Sequence, residues 1–202
     1  MKTTLKTIEA VIEDALETKD YSILVSLAPF AGPTGHKLAQ DAVIQSGNAD
    51  AIYRYARSVE GASIQALQEA VIHSRNALMA YKFALHIKDA DIVRLQEVVI
   101  RSESAQLARL FASDIKGADI QPLQDVVIAS GNVWEICEFG QHVKNADIHR
   151  LQEIVIESGI ASVAFRFASY VKGANIAELR KVVMRSGDSI LLHEFDEGLG
   201  RA

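Results

Sequence analysis

Residues Gly117 to Lys144 read GADIQPLQDVVIASGNVWEICEFGQHVK, and the same pattern returns on both sides of them at one spacing. The opening tetrapeptide recurs as GASI at Gly61, DADI at Asp89, NADI at Asn145 and GANI at Gly173, each start 28 residues after the last. Counting from the Asp of ADI as zero, apolar residues fall at +1, +4, +7, +8 and +9. Examples are Ile92, Leu95, Val98, Val99 and Ile100, or Ile148, Leu151, Ile154, Val155 and Ile156. That spacing is a helical stripe, and it outweighs the strand propensity of the VVI run. Ser63, Asp91, Asp119, Asp147 and Asn175 stand where a short side-chain oxygen can accept from the free N–H groups of a first turn. Pro122 falls within such a turn, where its missing N–H costs little.

The stripe ends at Ser-Gly in Gly47, Gly131, Gly159 and Gly187, a sequence suited to a left-handed helix stop. A second set of caps follows at once: Asp20, Asn48, Asn76, Ser104, Asn132 and Asp188, with Ile160 the exception. The helix they open repeats an aromatic residue at Tyr55, Phe83, Phe111, Phe139, Phe167 and Phe195, with a small neighbour such as Ala56, Ala112 or Gly140 for close helix approach. Each unit is therefore an antiparallel pair of helices of about 11 residues, too short to persist alone and stable when stacked. The fold class that follows is all-α, an α-solenoid of about seven two-helix repeats. It forms one helical-repeat domain over 1–202: irregular repeats in 1–60, regular ones in 61–172, and a capping repeat with a frayed tail, DEGLGRA, in 173–202. The opening APFAGPTGHK should shorten the helix before it and make a distinct corner.

This alternation of short paired helices resembles the class that includes HEAT, armadillo and tetratricopeptide arrays, in architecture only: the period is shorter and the tetratricopeptide signature residues are missing. The unit FAxxVKGADIxxLQxVVIxSG, as in Phe111 to Gly131, also looks like uncharacterised repeats of bacterial or phage proteins. Neither resemblance implies a ligand or an activity.

Composition narrows the function classes. Hydrophobic residues make up 49% of the chain and charged residues 23%, so it is core-forming rather than disordered. A net charge of −5 argues against nucleic acid or anionic lipid as partners. No apolar run approaches the roughly 20 residues needed to span a bilayer. The one cysteine, Cys137, and an N-terminus without a signal-peptide core point to the cytoplasm. The histidines offer neither HExxH nor an i, i+4 pair, and Cys137 has no neighbouring base in sequence, so no catalytic, metal or cofactor site is expected and the chain reads as non-enzymatic.

Two surfaces remain. Gln40, Gln68, Gln96, Gln124 and Gln152 recur at +5, as a hydrogen-bonding ladder between repeats or as contacts for a polar ligand. Beside them Glu69, Glu97, Asp125 and Glu153 form an acidic face at +6 that could receive a basic partner or imitate a nucleic-acid backbone. Arg94, Arg101 and Arg150 lie close enough in sequence to Glu97 or Glu153 to neutralise part of it. On the second helix, by contrast, positions +2, +5 and +9 from the cap differ between repeats. They carry Tyr53, Tyr81, Arg109, Trp134 and Phe165, residue types enriched at binding hot spots. These five are the expected anchors for a protein partner, with packing against the next repeat as the alternative and a second copy of the chain among the candidate occupants.

Overall fold

The computed structural model describes residues 2–199, and among them every regular element is helical. Two compact units emerge, residues 1–98 and 99–202. The first holds α1 (Lys2–Thr18), α2 (Ser22–Leu27), α3 (Gly32–Gln45), α4 (Ala49–Ser58), α5 (Ile64–Ser74) and α6 (Ala77–His86). The helix α7 (Ile92–Arg101) crosses the division. The second unit continues with α8 (Ala105–Asp114), α9 (Ile120–Ala129), α10 (Val133–His142), α11 (Ile148–Ser158), α12 (Ala161–Tyr170), α13 (Ile176–Arg185) and α14 (Ser189–Leu199). Odd-numbered helices are the first of each pair and even-numbered helices the second. Within each unit a helix packs on its chain neighbours and on the helix two further along, as in α4 on α6 or α10 on α12. The protein is thus an all-α array of solenoid-like repeats with a 28-residue period.

The caps explain why the helices begin where they do. Asp91, Asp147 and Asn175 accept from the N–H three residues on, at 3.2, 3.1 and 3.3 Å. Pro122 removes that donor in α9, and Asp119 accepts from Gln121 instead, at 3.4 Å. Asn48, Asn76, Ser104 and Asn132 cap the second helices, Asp188 does the same for α14, and Ile160 leaves α12 without a side-chain acceptor. The serine before each left-handed stop makes the joint. Ser46, Ser74, Ser102, Ser130, Ser158 and Ser186 donate to the carbonyl three residues back at 2.6 to 2.7 Å and accept from the N–H two residues on.

Between the paired helices lies the core. Tyr55, Phe83, Phe111, Phe139, Phe167 and Phe195 are all buried, over Leu67, Leu95, Leu123, Leu151 and Leu179. At Gly140 a β-carbon would come within 3.2 Å of the Phe167 ring, which accounts for the smallest residue at a position held by alanine in the repeats on either side, Ala112 and Ala168. The irregular opening behaves as expected: α2 is six residues long, a 3-10 turn (Ala28–Phe30) follows, and α3 starts early at Gly32. The expected frayed tail is corrected in part. Asp196, Glu197, Gly198 and Leu199 belong to α14, where Phe195 anchors them, and 200–202 lie outside the described residues.

Candidate functional site

The repeated glutamines are structural. Ser63, Asp91, Asp147 and Asn175 each donate their backbone N–H to the Oε1 of Gln40, Gln68, Gln124 and Gln152 respectively, at 2.7, 2.8, 2.8 and 2.6 Å. Every bond spans 23 residues and ties the first helix of one repeat to the cap of the next. All five glutamines are buried, and the four with these bonds form a ladder rather than a ligand row.

The acidic face is partly neutralised, and two of the pairs run between repeats. Arg94 reaches back to Glu69 in the preceding repeat, its Nη2 donating to Oε2 at 2.8 Å, and Arg150 pairs in the same sense with Asp125. The Arg94 hydrogen bond holds the Glu69 carboxyl below the usual range. Glu153 lies 3.5 Å from His149 one turn back on α11, and Glu97, exposed on α7, has the Arg94 guanidinium among its neighbouring charges. Arrangement across repeats, rather than along one helix, is what a stacked array produces when +3 and +6 face each other.

At +5 of the second helices, side chains pack toward the next repeat. Tyr53 is 5% exposed, and its hydroxyl lies 2.9 Å from His86 Nδ1 while accepting from Arg57 Nη1 at 3.3 Å. Arg109 is half-buried, with Nε donating to Glu135 at 2.8 Å, and the Phe165 ring stands 5.7 Å from that of Phe195. Cys137, in the same column, is fully buried, and burial pushes its thiol up to about 11, away from nucleophilic use. Tyr81 is half-buried. Trp134, at +2, is 49% exposed and is the most accessible of the five expected anchors.

The +2 and +9 positions of this face, read from the sequence as variable, include two further residues not chosen as anchors. Leu78 and Leu85 are 43% and 40% exposed on α6, flanking Tyr81 at helical spacing. Arg54 on α4 and Lys82 on α6 occupy +6, a column that tabulation by repeat would have exposed. Elsewhere, a cleft of about 570 Å³ opens beside His36, Ser58 and Glu60, where α3 departs from the pattern. His36 stands there in place of the framework isoleucine, and its carbonyl accepts from the Tyr55 hydroxyl at 3.1 Å. Burial, with the Asp41 carboxylate second, raises Tyr55 to about 12. Among the described residues no three of His, Cys, Asp and Glu gather as a metal site would need, and no helix is long and apolar enough to cross a membrane. Compared with family models, with curated proteins and with solved structures, the chain finds no match in any of the three.

Proposed function

We propose that this chain is a non-enzymatic, cytoplasmic repeat scaffold that binds another protein through the exposed side chains of its second helices. The observation that carries the reading is the contrast between columns. Framework positions repeat almost unchanged and are buried, whereas the second helices present Leu78 and Leu85 in the first unit and Trp134 in the second, large apolar groups left in water. Arrays of paired helices of the HEAT and armadillo kind use such faces for recognition, and the repeat unit's likeness to bacterial or phage repeats suits a scaffold of this size. Trp134 and Tyr81 serve as the leading anchors. Tyr53, Arg109 and Phe165 set the shape beneath them through contacts with the next repeat. The rival reading, an acidic competitor for a basic site, is weakened because Glu69 and Asp125 already carry arginine partners.

Affinity capture from the native host tests the choice. Trp134→Ala with Tyr81→Ala should lose the partner, while Glu97→Lys with Asp125→Lys should retain it, circular dichroism confirming that both variants fold. Loss only in the charge-reversed protein would transfer the function to the acidic face. Turnover of a substrate by the purified protein would overturn the class.

A further inference from the structure

The charges of the second helices are distributed unequally between the two units. In residues 99–202 both arginines of these helices are neutralised within the fold, Arg109 by Glu135 and Arg166 by Glu138. In residues 1–98 the corresponding cations are Arg54 and Arg57 on α4 and Lys82 on α6. Among the described residues none of the three has a carboxylate partner. The only acid on α4 and α6 is Asp50, in the first turn of α4. A chain whose net charge is −5 thus carries a local excess of positive charge on this one face.

The same face carries an apolar stripe. Leu78, Tyr81 and Leu85 sit at i, i+3 and i+7 of α6, so they line up along about 10 Å of the helix. The repeat register places Arg57 level with Leu85 and Arg54 level with Lys82, one helix spacing away across the α4–α6 contact. Arg57 is held in place as well, since its Nη1 donates to the Tyr53 hydroxyl, which is in turn fixed at His86. An apolar strip two turns long, bordered by cations without carboxylate partners, of which Arg57 is held in place, is complementary to a helix with apolar residues on one side and carboxylates beside them.

We propose that the α4–α6 face of the first unit docks an acidic amphipathic helix of a partner protein, whose apolar side chains lie on Leu78, Tyr81 and Leu85 while its carboxylates meet Arg54, Arg57 and Lys82. This rests on the second-helix reading above and supplies the chemistry of the partner. Nucleic acid fits less well: one half-buried tyrosine between two leucines is a small stacking surface for bases, and three cations stand against an acidic whole.

The test uses the full chain and three labelled peptides of about 18 residues. One is an amphipathic helix with a leucine stripe flanked by Glu and Asp, the second carries Lys in place of every acid, and the third keeps the acids but has Ser for Leu. Fluorescence anisotropy should show the first binding at least about tenfold more tightly than the other two, with affinity falling from about 50 to about 300 mM salt. The triple variant Arg54→Glu, Arg57→Glu, Lys82→Glu should lose at least about tenfold for the acidic peptide. A control of equal net charge, Lys116→Glu, Lys144→Glu, Lys172→Glu, should bind as the wild type does. No saturable binding by the acidic amphipathic peptide, equal binding of the acidic and basic peptides, equal loss in the control, or tighter binding of a DNA oligonucleotide that the triple variant abolishes would each overturn the proposal. Host-partner capture that survives the triple variant but is lost with Trp134→Ala and Tyr81→Ala would end this inference and leave the second-helix reading standing. Capture indifferent to both sets would end that reading too.

Discussion

A buried glutamine is an unusual choice for a repeated core position, and its use is clear at the level of single atoms. The N–H of a cap residue has no partner within its own helix, and the preceding repeat supplies one at 2.6 to 2.8 Å. Gln124 makes a second bond, its Nε2 donating to the Asp147 carbonyl at 3.2 Å. Gln124→Met keeps the shape and removes both bonds, so it should lower stability by about 1–3 kcal/mol, read as an earlier urea midpoint at unchanged slope. Gln121→Met, exposed three residues away, should change stability by less than about 0.5 kcal/mol. Equal losses would mean that the ladder contributes nothing. The recurrence of these glutamines was plain in the sequence, and a ladder between repeats was one of the two readings it allowed. The receiving atom was not, because side-chain periodicity is silent about which backbone groups a neighbouring repeat leaves unpaired.

Helices in this array are short, so each end matters to a larger share of the whole. From α4 onward Asn, Asp and Ser caps recur, and α12 is the outlier there: Ile160 has the backbone geometry of a cap, φ −82° and ψ 105°, without an acceptor. Its side chain is 41% exposed, so little packing is at stake. Ile160→Asn should raise stability by about 0.5–2 kcal/mol, visible as a higher melting temperature, and a lower one would show that the isoleucine holds a contact worth more than a cap. Caps and stops were legible because they depend on local chemistry. The orientation of the second helices was not. Each is flanked on both sides by its neighbours, and whether +5 turns toward the seam or toward water depends on helix rotation, which a sequence with two apolar stripes leaves open. Tyr53 and Phe165 therefore proved to be packed, while Leu78 and Leu85, a turn to either side of the +5 residue Tyr81 on α6, met solvent.

Among the described residues the ladder column changes charge at α13. In α13 the ladder position is Arg180, which turns back within the last repeat and grips Asp196 of α14 through two bonds of 2.7 Å. Those hydrogen bonds hold the Asp196 carboxyl below its ordinary range. A carboxyl lowered on folding contributes stability that is complete above its unfolded value, near pH 4, and disappears as pH falls through the folded one. The melting temperature of the wild type should therefore exceed that of Asp196→Asn at neutral pH, with the two curves converging below about pH 4. An advantage that grew in acid would reverse the assignment. The 28-residue period made the repeat class legible from end to end, whereas the division into compact units at residue 98 leaves no mark in that period. The ladder also makes chain length count in whole steps. Removing residues 125–152 would set Gln124 where Gln152 stood, again 23 residues before Asn175, and every bond downstream would find its partner. A deletion of any other length strands a glutamine and a cap together, so the genetic changes this fold tolerates most readily in its regular stretch are gains and losses of entire repeats.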